Sequence, residues 1–221
     1  MPALHVLRVF TDAGGEHGNP LGVFLDDDKV SGRERQAIAT ELGFSETVFV
    51  DDAERGVIQM FTPAAEIPFA GHPTVGTAWL LAREREPVAV LRPPPGEVGV
   101  RYEDESTYVD AAAAWCPPFE YLEHSDAAAI DALDPAVFER DTFNWAWLDR
   151  DAGVVRARGF YPRHGIREDQ ATGSAVLALC VRLDRPIEVR QGEGSLIHAR
   201  PLGEGRAEIG GRTVLDERRH H

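Results

Sequence analysis

Two stretches of the sequence place polar side chains where a helix is about to begin. FAGHPTVGTAWLL, residues 69–81, carries His72, Pro73 and Thr74 between Gly71 and Gly76; REDQATGSAVLAL, residues 167–179, carries Asp169, Gly173 and Ser174. In each, a polar residue (His72 or Asp169) stands four positions before a Gly-Thr/Ser-Ala step and an apolar run. Helix N-termini expose unpaired backbone N–H groups and a partial positive charge, so two such ends aimed at one cleft would cradle an anion. His72 and Asp169 would then touch different parts of one ligand. Taken singly, each residue has an ordinary structural role. A histidine in a Gly-rich loop bonds a loop carbonyl, an aspartate caps a helix, and Ser174 caps or pads its helix start. The repetition favours ligand contact for His72 and Asp169 and leaves Ser174 evenly balanced. Thr77 and Glu168 read as structural, and His5, His17, His124, His164 and His198 show no ligand spacing.

The elements that must position these residues repeat. HVLRVFT and PLGVFLDD read as strands about a Gly- and Asn-containing turn. SGRERQAIATELG reads as a helix with a Ser31/Glu34 capping box and Gly43 as its stop. SETVFVDD and GVIQMFT are strands about DAERG, and PTVGTAWLLARE is a helix with Pro73 in or near its first turn. VAVLR and VGVRYE follow as strands. The second half repeats the order: two strands in NWAWLDRDAGVVRARGFY, a loop, the helix TGSAVLALCVRLD, then strands PIEVRQ, SLIHARP and AEIGGRTVL. Gly173 lies 97 residues after Gly76, and the same offset pairs Gly56 with Gly153, Thr77 with Ser174, and His72 with Asp169. The pattern predicts an α+β fold of two pseudo-symmetric halves, residues 1–105 and 106–221, each a mixed sheet wrapped around a central helix. The segment 111–143 fits no part of the pattern.

Composition bounds the function. The 221-residue chain carries a formal net charge of −14 with acidic residues scattered along it, which disfavours a nucleic-acid partner. An anionic small molecule would need a local positive cradle. No run approaches the roughly 18 apolar residues of a membrane span. The N-terminus lacks a basic, cleavable leader, and the expected location is cytoplasmic. Cys116 and Cys180 have no CxxC partner, so no thiolate zinc site is expected.

The stretches FTDAGGEHGNPLGVFLD, ELGFSETVFV, MFTPAAEIPFAGHPTVGTAWLL and EDQATGSAVLAL resemble the motifs of the phenazine-biosynthesis PhzF family. The resemblance runs almost continuously over the first 85 or so residues and again from about Gly159 to Gly194. It implies the diaminopimelate-epimerase fold with a site between the two halves. It also implies cofactor-independent isomerisation, as of trans-2,3-dihydro-3-hydroxyanthranilate, a homodimer, and no metal. By the same resemblance Glu46 is the acid/base carboxylate, and His72, Asp169 and Ser174 hold the substrate. Gly71 and Gly173, with their neighbours, offer backbone amides to its carboxylate. Without the motif, Glu46 would read as a solvated carboxylate at a strand end, although it shares a face with Val48 and Val50. Gln170 stands where the family often has Pro, RQGEGSLIHARP is trimmed, and the chain is short for the family.

Four functions compete. A one-base isomerase would move a proton between two carbons of a carboxylate-bearing metabolite through Glu46. A two-base racemase or epimerase would need paired bases at the helix entries, where related enzymes have cysteines and this chain has His72 and Asp169. A metal enzyme could use Glu46, His72 and Asp169, but no HxH, HxxxH or HxxE pair is present. A non-catalytic binding protein would keep the cleft alone. The motifs favour the first.

Overall fold

The computed structural model describes residues 3–25 and 30–220; Asp26 and Asp27, at the end of the second expected strand, lie outside them. The first half runs β1 (Ala3–Thr11), β2 (Asn19–Phe24), α1 (Gly32–Leu42), β3 (Glu46–Asp52), β4 (Val57–Phe61), β5 (Glu66–Ile67), α2 (Gly71–Glu84), β6 (Val90–Leu91) and β7 (Val98–Glu103). The same order then recurs as β8 (Ser106–Ala112), β9 (Glu120–Glu123), α3 (Ala127–Asp131), β10 (Thr142–Asp149), β11 (Val154–Tyr161), β12 (Ile166–Asp169), α4 (Gly173–Leu183), β13 (Ile187–Gln191) and β14 (Ser195–Gly203). β15 (Arg206–His220) closes the chain.

Both halves are mixed sheets. β2 runs parallel to β3, β9 to β10 and β11 to β13, while the hairpins are antiparallel. The halves are also joined in one hydrogen-bonded sheet, because β15 pairs with β8 through residues 206–212 and with β1 through residues 212–220. Gly210 and Gly211 permit that crossing. A Cβ on Gly210 would lie 2.5 Å from the Thr107 carbonyl oxygen, and one on Gly211 2.9 Å from that of Leu196.

Each central helix is buried on nearly every side, as an all-round apolar helix must be. Gly71 to Ala78 of α2 and Gly173 to Leu177 of α4 are all buried, in one core that draws on both halves. α1 covers the opposite face of the first sheet, over a separate cluster of Leu4, Phe24, Phe49 and Phe61. It has the expected capping box, and Gly43 ends it in the left-handed region at φ 67°.

The repeat is real for the strands, but the 97-residue offset does not hold at the helices. Gly56 and Gly153 occupy equivalent turns with φ 66° and 76°. α2 starts at Gly71, however, and α4 at Gly173, 102 residues later. Gly76 is therefore not the counterpart of Gly173, nor His72 of Asp169. Gly76 lies mid-helix because α2 presses on the sheet there: a Cβ would fall 2.6 Å from Leu21 Cδ2 and 2.7 Å from Val9 Cγ2. The true counterparts are Gly71 with Gly173 and His72 with Ser174. Asp169 ends β12, upstream of its helix. The segment 111–143 is the end of β8, then β9, α3, two short 3-10 turns and the first residues of β10.

Candidate active site

α2 and α4 meet head to head. A Cβ on Gly71 would lie 2.8 Å from Gly173 Cα, and one on Gly173 would lie 3.0 Å from the backbone nitrogen of His72. Only glycine at both positions lets the two backbones touch. Neither helix has a side-chain cap: Ala70 has no polar group, and the Thr172 hydroxyl is engaged elsewhere. Two buried helix starts thus converge with their first-turn N–H groups free of side-chain acceptors, in contrast to α1. Ser174, 6% exposed, follows Gly173 in that turn.

Glu46 opens β3. On the two-residue period of the strand it shares a face with Val48 and Val50, which belong to the common core, while Phe49 faces α1. Its Oε2 lies 3.4 Å from Nε2 of His72, and both atoms are inaccessible and otherwise without a hydrogen-bond partner. Burial pushes the Glu46 carboxyl up to about 7, against smaller downward pulls from the Ser45 hydroxyl and the charge of His164. Burial also pushes His72 down to about 4, opposed by Asp169 and by a hydrogen bond with the Pro20 carbonyl. His72 is therefore neutral at neutral pH.

Asp169 is 8% exposed. Its Oδ1 accepts from Asn19 Nδ2 at 2.7 Å and its Oδ2 from the Thr172 hydroxyl at 2.6 Å. Burial and the neighbouring Glu46 charge raise its carboxyl to about 6, while His72, Thr172 and Asn19 act downward. Behind it, the buried Gln191 bonds the Asp169 carbonyl, the Thr172 amide and the Thr172 hydroxyl at 2.9, 2.9 and 2.8 Å. The Tyr161 hydroxyl adds a further bond to Thr172 at 3.0 Å. The loop 169–172 is thus fixed on all sides.

The structure therefore gathers Glu46, His72, Asp169, Ser174, Gly71 and Gly173 around the junction of the two helix starts. Asn19, Thr172, Tyr161 and Gln191 complete it, and the sequence reading assigned none of them. Asn19 and Thr172 stood within quoted motifs; Tyr161 and Gln191 are brought in only by tertiary pairing. Among the described residues, no three His, Cys, Asp or Glu side chains are grouped to hold a metal ion. A separate surface cavity of about 480 Å³ is lined by Arg101, Tyr108, Arg200 and Glu208. Its charges are already paired, Glu208 with both arginines.

The chain's sequence and its α+β fold are both shared with known proteins. Residues 7–144 match the PhzC-PhzF family, described as phenazine biosynthesis-like protein. The trans-2,3-dihydro-3-hydroxyanthranilate isomerase of Pseudomonas chlororaphis is 31% identical over 255 residues, covering 92% of this chain and 91% of the relative. The enzyme of the same name from Pseudomonas fluorescens is 30% identical over 243 residues, covering 86% and 87%. A phenazine biosynthesis PhzC/PhzF protein from Clostridium difficile has a similar fold, with TM-score 0.81, 19% identity, and 100% and 99% of the two chains covered. A hydroxyproline epimerase from Agrobacterium vitis, with bound trans-4-OH-L-proline, shares the fold at TM-score 0.63 and 12% identity, covering 99% and 91%. The chain belongs to the PhzC/PhzF phenazine-biosynthesis-like family, and its class is that of an isomerase.

Proposed function

We propose that the protein is a cofactor-independent isomerase that moves a proton between two carbons of a small carboxylate-bearing metabolite. Trans-2,3-dihydro-3-hydroxyanthranilate, named for relatives of nearly full coverage, is the first substrate to test. The observation that carries the reading is the buried Glu46 carboxyl, held near 7, with its Oε2 3.4 Å from Nε2 of a neutral His72. A carboxyl that populates both forms near neutrality can take a proton from one carbon and return it to the next. The first-turn amides of α2 and α4, from Gly71 and Gly173 onward, hold the substrate carboxylate. His72, Asp169 and Ser174 hold its remaining polar groups, and His72 and the amides stabilise the charge that develops. The halves 1–105 and 106–221 supply one wall each. The wider reading is of a cytoplasmic homodimer. Among the described residues no helix is long and apolar enough to cross a membrane.

The two-base epimerase reading draws support only from fold likeness. Its bases would have to be His72 and Ser174, the structurally equivalent helix residues. Burial raises the thiols of Cys116 and Cys180 to about 12, and neither belongs to a helix start. The test is Glu46→Gln, which keeps shape and removes the ionisable group. Isomerisation should fall about a thousandfold with the fold intact by circular dichroism. Activity within a few-fold of wild type would remove Glu46 from the mechanism.

A further inference from the structure

Asn19 opens β2 in the first half, yet its side chain reaches across to the second. Nδ2 donates to Asp169 Oδ1 at 2.7 Å and to the Ala171 carbonyl at 3.0 Å. Both partners only accept, so the amide cannot be flipped. Its Oδ1 is left to accept from the hydroxyl of Ser45, the residue before Glu46, at 3.4 Å. Asn19 is 3% exposed and bonds both Asp169 and the residue that precedes Glu46.

The donors around Asp169 all point one way. Asn19 Nδ2 can only give a proton to Oδ1. The Thr172 oxygen receives Gln191 Nε2 and the Tyr161 hydroxyl, so its single proton goes to the strongest acceptor present, Asp169 Oδ2. Glu46 Oε2 has no hydrogen-bond partner, and the Ser45 hydroxyl is the one hydrogen-bonding neighbour that favours the charged form of Glu46. Hydrogen bonds to the charged form favour that form. Asp169 is thus supplied with more donors to its charged form than Glu46 is.

We propose that Asn19 is a positioning residue for the isomerisation. Its amide holds Asp169 as a carboxylate and fixes it relative to the Ser45–Glu46 strand start, leaving Glu46 as the group that exchanges a proton. The charged and titratable neighbours that bear on Asp169 are Glu46 from β3, His72 from α2 and Tyr161 from β11. Glu168 is turned away and paired with Arg158. Without the Asn19 donor, the repulsion from Glu46 and the burial are less opposed, and Asp169 protonates nearer neutrality.

The test is carried out on full-length protein labelled with 13C-aspartate, with the Asp169 γ-carboxyl signal assigned by its loss in Asp169→Asn. In Asn19→Leu, and in the smaller Asn19→Ser should the first fold poorly, the Asp169 titration should move up by about one unit or more, a tenfold change in its ionisation constant. This arm does not depend on the isomerase reading. The kinetic arm does: with trans-2,3-dihydro-3-hydroxyanthranilate, kcat/KM of the variant should fall about fivefold or more near pH 6 and recover to within about threefold near pH 9. A residue that only supports the fold would lose activity equally at every pH. An unmoved Asp169 titration, or a pH-independent loss, would overturn the proposal. Absence of turnover by wild type as well would fall on the choice of substrate, and the titration alone would then decide.

Discussion

Gly71 and Gly173 stand backbone against backbone, and each excludes a side chain from the other. A Cβ on Gly71 would be 2.7 Å from the Gly173 carbonyl carbon and 2.8 Å from its Cα. Because the obstacle is main chain, it cannot rotate away. Gly71→Ala and Gly173→Ala should each cost about 2–3 kcal/mol, as overpacking does, and should part the two helix starts, lowering kcat/KM more than tenfold. Gly43→Ala, in open space at φ 67°, should cost about 1 kcal/mol from backbone strain alone and leave activity unchanged. Urea unfolding and initial rates on the three variants check the contrast.

The Glu46 carboxyl makes function and stability oppose each other. Its folded value is raised from 4.5 to about 7, so the folded state binds the proton more tightly than the unfolded chain does. The associated stability is fully present below pH 4.5 and is lost as pH rises through 7. The full difference is about 3 kcal/mol. Glu46→Gln removes this dependence. The variant should match wild type near pH 4 and exceed it by up to that amount near pH 8 in urea unfolding. An equal difference at both pH values would show that Glu46 is not desolvated as described. His72, lowered to about 4, acts with the opposite sign, since its neutral form is favoured and stability falls as pH drops from 6.5 toward 4.

His72 should not supply the ionisation seen in the pH–rate profile. It stays neutral through the working range, so the limb near 7 belongs to Glu46. His72→Gln should lower the rate by about tenfold to a hundredfold and leave that limb within half a unit. A limb that disappears in His72→Gln would reverse the assignment.

α1 provides the control for capping. Its Ser31/Glu34 box is complete, with the Glu34 carboxylate accepting from the Ser31 amide at 2.9 Å. Ser31→Ala should cost about 1 kcal/mol. α1 covers the Phe49 face of β3, opposite Glu46, so kcat and KM should not change.

The sequence made legible whatever depends on local chemistry. The capping box at Ser31, the left-handed stop at Gly43, the paired strands about Gly56 and Gly153 and the burial of both central helices all follow from near neighbours. The motifs also named the residues that gather at the helix junction. The alignment of Gly76 with Gly173 failed because glycine serves two ends, a helix start at Gly173 and a close helix–sheet contact at Gly76, and residue type cannot separate them. The partners of Asp169 were hidden for another reason. Asn19, 150 residues away, reaches the carboxylate only when the two halves close, and Gln191, 22 residues on, reaches the Asp169 carbonyl only through the pairing of β11 with β13. The strand AEIGGRTVL was read, but not that it extends as β15 and joins both halves, since its hydrogen bonds switch from β8 to β1 at residue 212.

The central claim is that one carboxyl, Glu46, both removes and returns the proton, and isotope tracing tests it most directly. Turnover of trans-2,3-dihydro-3-hydroxyanthranilate in deuterium oxide, followed by mass and NMR analysis of the product, reads the origin of the delivered hydrogen. A single buried base that cycles between two carbons on one face exchanges only partly with solvent. The account predicts product with partial retention of the substrate's own proton, and loss of both the retained and the solvent-labelled product in Glu46→Gln. Complete incorporation of deuterium with inverted stereochemistry would contradict it and would assign the second proton to a separate base on the opposite wall.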